Sequence, residues 1–148
     1  MDTLAAGGFA QYEISNYARP GHESQHNRAY WLGADWLGFG PGAFSTVGLS
    51  RWENVRDTAA YVRAIRSAEP VAGFREELDA ATRAGEIAAF RIRMAEGIPR
   101  GETARWSDGL AEFERLGLLH EEGGSLRLTR RGKLLADSVA EVFIEPRS

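Results

Sequence analysis

His26-Asn27-Arg28-Ala29-Tyr30-Trp31 places an imidazole, an amide and two large aromatic rings within one short stretch. A neutral imidazole can ligate haem iron while neighbouring aromatic side chains cover a porphyrin face. The same residues can instead be a polar pair satisfying buried backbone groups beside core aromatics, and spacing alone favours that plainer reading. Overlapping the first of them, His22-Glu23-Ser24-Gln25-His26 matches the H-E-x-x-H zinc pattern, in which two imidazoles on one helix face bind metal and the Glu activates a metal-bound water. Pro20-Gly21 directly precedes His22, the segment is polar almost throughout, and no third histidine follows nearby, so a zinc hydrolase ranks last among the functions weighed.

Two further groups could do chemistry. Glu13, Ser15 and Asn16 fall at the end of a short alternating segment, where parallel α/β barrels place functional groups and where ordinary polar residues also end strands. Glycines at 38, 40, 42 and 48 permit close backbone or ligand approach, but they have neither the G-x-G-x-x-G order nor a Walker lysine. Close packing is their expected role.

The elements that would position these residues follow from local pattern. Leu4-Ala5-Ala6 ends at Gly7-Gly8 as a last helical turn does, and Gln11 to Ser15 alternates as a strand. His22 to Gly33 has no clear period and is expected as an ordered loop with one helical turn over residues 27–31. Trp36 to Gly40 is expected as a buried strand, broken by Pro41-Gly42 and resumed at Ala43 to Val47. Ser50 to Glu53 would pair back through Gly48.

Asp57 caps an expected helix over 58–68, with Tyr61, Val62 and Ile65 on its apolar face. Val71 to Phe74 reads as the connection between two units, and a longer helix is expected over 79–96. Beyond it, Ser107 is the expected cap of a helix carrying Leu110, Phe113 and Leu116. Leu118 to Glu121 and Ser125 to Leu128 form a hairpin through Gly123-Gly124. Thr129 caps a last helix with Leu135, Val139, Val142 and Phe143 inside. Helix, hairpin, helix in these proportions is winged-helix-like, which raises DNA binding as a rival function. Its recognition helix would carry Asp108, Glu112 and Glu114 against Arg115, the wrong balance for phosphate. Arg127, Arg130, Arg131 and Lys133 form a small basic patch that a solvated surface explains, so a packing module without cofactor is the favoured form of this alternative.

Composition narrows the field. A length of 148 residues with 43% hydrophobic content suits one ordinary domain or two small ones. Ten of the fifteen aromatic residues lie between Phe9 and Tyr61, and the net charge of -3 leaves no basic arm for non-specific nucleic-acid binding. No cysteine is present, which removes disulfides, thiolate zinc sites and cysteine-held clusters. The start has no basic n-region, and no run approaches the roughly 20 apolar residues of a membrane span, so a soluble cytoplasmic protein is expected.

Three collinear motifs carry a resemblance. Tyr12-Glu13-Ile14-Ser15-Asn16-Tyr17-Ala18-Arg19-Pro20-Gly21, His26-Asn27-x-x-Tyr30-Trp31 and Gly38-Phe39-Gly40-Pro41-Gly42-Ala43-Phe44-Ser45 resemble the radical-SAM family of oxygen-independent coproporphyrinogen III oxidases and their haem-chaperone relatives. The resemblance continues through Phe90-Arg91-Ile92-Arg93 and Gly117-Leu118-Leu119 to Leu128-Thr129-x-x-Gly132-Lys133-Leu134-Leu135, nearly the whole chain. The H-N-x-x-Y-W motif is similar to that of the haem-chaperone branch, which implies haem binding by His26 with Asn27, Tyr30 and Trp31 around it.

The fold it implies is α+β. Residues 1–72 would supply the C-terminal strands of an incomplete α/β barrel and a β extension, and 73–148 a helical winged-helix-like cap. Glu13, Ser15, Asn16, Gly40, Gly42 and Phe44 would lie near the cofactor, although Phe44 stands where that branch has histidine. The family holds a [4Fe-4S] cluster with three cysteines and uses S-adenosylmethionine. A chain without cysteine is therefore expected to hold no cofactor alone, to be inactive alone, and to need an N-terminal radical-SAM region as partner. Haem or porphyrin metabolism is the implied setting, and exposed barrel surface allows a homodimer.

Overall fold

The computed structural model describes residues 2–144. In chain order the elements begin with α1 (Asp2–Ala6), β1 (Ala10–Glu13), β2 (Asn16–Ala18) and α2 (Gln25–Trp31). Then come β3 (Phe44–Val47), β4 (Ser50–Asn54), α3 (Thr58–Arg66) and β5 (Ala72–Glu77). The remainder holds α4 (Ala80–Arg91), β6 (Ile98–Pro99), α5 (Ser107–Arg115), β7 (Leu119–Glu122), β8 (Ser125–Leu128) and α6 (Ala136–Ala140). Short 3-10 segments occupy Arg100–Trp106, Gly132–Leu135 and Glu141–Phe143. The fold is α+β, and its three sheets, β1-β2, β3-β4-β5 and β6-β8-β7, are antiparallel and open, with no barrel closure among the described residues.

Two compact units divide these elements. The described parts of Met1–Gly33 and Ala84–Ser148 form one, and Ala34–Arg83 forms the other. In the first, Ile92, Ile98, Leu110, Leu126, Val139 and Phe143 are buried almost completely, with Ala88, Leu119, Leu128 and Ala136 around them. Small residues let these elements meet: a Cβ at Gly85 would collide with the Phe143 carbonyl, so α4 and the last 3-10 turn pack backbone to backbone. The β7-β8 turn uses Gly123 and Gly124, both at positive φ, and Thr129 Oγ1 accepts the Gly132 N–H at 3.0 Å to open the next turn.

The second unit is a three-stranded meander with α3 in the connection between β4 and β5. Gly48, at φ +59, turns β3 into β4, and the Asp57 side chain accepts the Ala60 N–H at 2.7 Å to cap α3. No residue of α3 is buried, and Val62 and Ile65, expected on an inner face, are 38% and 56% exposed.

Several boundaries differ from those the sequence suggests, each for a physical reason. Trp36 to Gly40 is no strand: Trp36 alone bridges Thr46, while Leu37 and Phe39 are exposed. The Asn54 amide donates to the carbonyls of Gly38 and Gly40 at 3.1 and 3.0 Å, satisfying them without a ladder. Residues 72–74 belong to β5, where Phe74 pairs with Glu53, instead of forming a connection. The helix expected over 79–96 stops at Arg91, because the chain then bends to bridge Met94 to Glu13 and to donate the Ala95 N–H to the Tyr12 carbonyl at 3.1 Å. Ser107 is the first residue of α5, not its cap, since a 3-10 segment runs straight into that helix. Leu135, placed inside by pattern, is 45% exposed, and Ala136 is buried beside it.

Candidate functional site

The segment around His26 is a helix, where only one turn was expected. The Ser24 hydroxyl accepts the Asn27 N–H at 3.3 Å, and α2 then runs from Gln25 to Trp31. His26 stands exposed in its first turn, and its imidazole has no hydrogen bond or ion pair among the described residues. One turn later Tyr30 and Trp31 pack with Phe90 of α4. The ring centroids are 5.2 Å apart for Tyr30–Trp31, 5.3 Å for Tyr30–Phe90 and 5.6 Å for Trp31–Phe90, mostly edge to face. Arg28 ties the polar side of α2 down through a 2.7 Å ion pair to Glu96.

Beneath this cluster lies Glu13, only 1% exposed. Its Oε2 accepts the Ser15 N–H at 2.9 Å and the Asn16 amide at 2.6 Å, and its Oε1 accepts Arg93 Nε at 3.2 Å. Arg93 also donates to Asp137 at 2.7 Å and places its guanidinium 5.4 Å from the centre of the Trp31 ring. Glu13, Ser15 and Asn16 are thus one carboxylate-centred network, joined through Arg93 to an aromatic residue of α2. In the sequence Arg93 is seen only within the Phe90-Arg91-Ile92-Arg93 motif, and no short-range spacing links it to Glu13.

Gly40, Gly42 and Phe44 belong to the second unit and are held there independently. Gly38 N–H donates to Ser45 Oγ at 2.9 Å, Gly40 N–H to Tyr61 Oη at 3.1 Å and Gly42 N–H to the Val55 carbonyl at 3.2 Å. Gly40 and Gly42 have φ of +104° and +69°, which explains glycine at both. Phe44, 43% exposed, opens β3 opposite Glu53, whose carboxylate takes Arg56 Nε at 2.5 Å and Nη2 at 3.0 Å. That pairing raises the already high Arg56 pKa.

The zinc pattern is not assembled. His22 lies in the turn before Ser24, its N–H donating to the Arg19 carbonyl at 2.9 Å, so the two imidazoles share no helix. Backbone N–H groups of Glu23 and Gly21 hold the Glu23 carboxyl below its usual range, the wrong direction for a general base. Among the described residues no three His, Cys, Asp or Glu side chains group to hold a metal.

The basic patch is also largely engaged. Arg127 pairs with Glu122 at 2.7 Å, Arg130 makes a two-pronged pair with Asp2 at 2.9 Å, and Lys133 donates to Gln11 at 2.7 Å. On α5, Arg115 is taken by Glu112, so the helix that would enter a groove offers no unpaired arginine among the described residues to a phosphate backbone.

No family model matches the chain. Its fold superposes over 96% of its length on coproporphyrinogen III oxidase (HemN) from Escherichia coli, described as a radical SAM enzyme, with a TM-score of 0.69 and coverage of 38% of that chain. At 15% identity this is a likeness of fold: an open α+β assembly found in a radical-SAM protein. Sequence carries it further. The chain is 42% identical to heme chaperone HemW of Mycobacterium tuberculosis and 33% identical to heme chaperone HemW of Bacillus subtilis, over 95% and 97% of its length. It belongs to the HemW/HemN radical-SAM family and corresponds to its C-terminal part. It spans 36% and 40% of the length of those two relatives.

Proposed function

We propose that this chain is the haem-handling C-terminal part of a radical-SAM haem chaperone or coproporphyrinogen oxidase-like protein, with His26 as the contact to haem iron. The supporting observation is the His26 imidazole itself, exposed on a capped helix and committed to no hydrogen bond or ion pair among the described residues. Bound haem would supply a Lewis-acidic iron, and His26 would be the residue that holds it. Ligation at His26 breaks no bond within the protein, so it costs little of the fold. Tyr30, four residues on, shares the His26 side of α2. Tyr30 and Trp31 are already fixed by Phe90 and Arg93, so their rings need no ordering when a flat ligand arrives. Asn27 completes the surroundings.

Haem delivery is favoured over oxidative decarboxylation of coproporphyrinogen III, because the H-N-x-x-Y-W residues match the chaperone pattern. An iron–sulfur cluster does not fit these residues: the chain has no cysteine. The cluster and S-adenosylmethionine belong, in this reading, to the part of the family that the chain does not span. There β1 would continue a barrel, and Glu13, Ser15, Asn16, Gly40, Gly42 and Phe44 would lie nearer the cofactor. A soluble cytoplasmic protein fits the absence, among the described residues, of any helix long and apolar enough to cross a membrane.

The test is a haemin titration of the chain and of His26→Ala, read at the Soret band. A Soret shift in the parent chain that disappears in the variant is expected, with unchanged far-UV circular dichroism because His26 is exposed. An identical spectrum in both proteins removes the assignment.

A further inference from the structure

The described residues also contain a cleft of about 210 Å³ in which His120, Glu122, Arg127 and Lys133 stand over Met94 and Leu128. Strand register assembles it. His120 of β7 is directly opposite Arg127 of β8, and Glu122, two residues along β7, shares the face of His120. Lys133 arrives from the 3-10 turn that follows β8. The charges do not balance. Among the described lining residues Glu122 is the one carboxylate, and Arg127 takes it at 2.7 Å, while His120 Nε2 lies 3.8 Å from it. Lys133 Nζ donates to the Gln11 amide oxygen at 2.7 Å, a partner that accepts a hydrogen bond without neutralising the charge. Burial lowers the Lys133 pKa, and Lys133 forms no ion pair among the described residues. Arg127 Nε–H is buried and meets no acceptor among the described residues; shielded from water, it adds field to the cleft instead of a contact.

We infer that this cleft binds a small oxyanion, a phosphate or a carboxylate, with Lys133 as its principal contact, Arg127 as the second cation and the His120 ring as a hydrogen-bonding wall. The residues involved lie outside α2 and the Glu13 network, so the inference does not rest on haem binding at His26. An anion in the cleft supplies to Lys133 the charge that Glu122, taken by Arg127, does not, and it joins a lysine already ordered by Gln11.

The experiment uses the 148-residue chain with inorganic phosphate and, separately, acetate, at constant ionic strength. Backbone amide NMR shifts of residues 120–122, 127 and 133 report binding. Saturable shifts with at least one probe are expected, and the probe that saturates identifies the class of oxyanion. Lys133→Met, which keeps the aliphatic stem, should weaken binding by roughly 10-fold, the worth of one charge-assisted hydrogen bond. Glu122→Gln, which removes the competing carboxylate, should tighten it several-fold, a gain that no loss of folding can imitate. Shifts that fail to saturate with both probes, Lys133→Met binding as tightly as the parent, or Glu122→Gln binding more weakly, would each overturn the inference. His26→Ala should leave the titration unchanged.

Discussion

Replacing Arg93 by Met keeps the aliphatic stem beside Trp31 but removes the cation that faces Glu13. The Glu13 side chain is 1% exposed and that of Arg93 is 22% exposed, so the pair is dry at one end and wet at the other. Breaking a fully buried pair costs about 3–5 kcal/mol, because the remaining charge is stranded. Here the Ser15 N–H and the Asn16 amide still solvate the Glu13 carboxylate, and the Arg93–Asp137 pair contributes little because Asp137 is 92% exposed. Roughly 2 kcal/mol is therefore expected from Arg93→Met, including the lost cation–π contact to Trp31.

Glu13→Gln in the same background tests the cause. With the charge gone there is nothing to strand, so the double variant should recover about 1 kcal/mol relative to the sum of the two single losses. Urea unfolding followed by far-UV circular dichroism and by tryptophan fluorescence gives all three values. Additivity within about 0.5 kcal/mol would show that Glu13 and Arg93 do not act as a unit, and the reasoning would fail.

Other perturbations follow from single contacts. Gly85→Ala places a methyl group into the Phe143 carbonyl and should cost about 3 kcal/mol, the upper end for overpacking, seen as a lowered melting temperature. Asn54→Ala frees the Gly38 and Gly40 carbonyls, and faster amide hydrogen exchange over residues 36–43 is expected, with β7 and β8 unaffected. Asp79 is held below its usual pKa of 3.8 by hydrogen bonds from the backbone and side chain of Thr82. Its contribution is therefore full above that value and lost as pH falls through the lower folded-state pKa. Asp79→Asn, which still caps α4 but does not titrate, should flatten that part of the acid limb in thermal melts taken below pH 4.

Much of the fold was legible where cause and effect are neighbours in sequence. Gly48 announces the β3-β4 hairpin, Gly123-Gly124 the β7-β8 hairpin, and Asp57 the start of α3. What escaped depends on distant partners. Leu37 and Phe39 look like the interior of a strand, and only the Asn54 side chain, reaching back across the unit, explains why they face solvent. Phe74 looked like a connection because the pairing that makes it a strand lies in Glu53. The α2 helix is polar enough to pass for a loop, although Ser24 three residues before Asn27 was a readable cap. Within the candidate site, the residue types of Glu13 and His26 were visible; the Arg93 that joins Glu13 to Trp31 was not, since it lies eighty positions away.

That separation governs the order in which the molecule can be made. The first compact unit is built from two pieces of chain with residues 34–83 lying between them. As the polypeptide emerges, β3, β4 and β5 have every partner they need once Glu77 is out, and closing such short loops is cheap. The carboxylate of Glu13 meanwhile waits, hydrated, until the intervening unit and α4 have followed it. No ribosome can present Arg93 to Glu13 before then, so the network under α2 is necessarily assembled late, after residues 34–83, whose strands pair with one another.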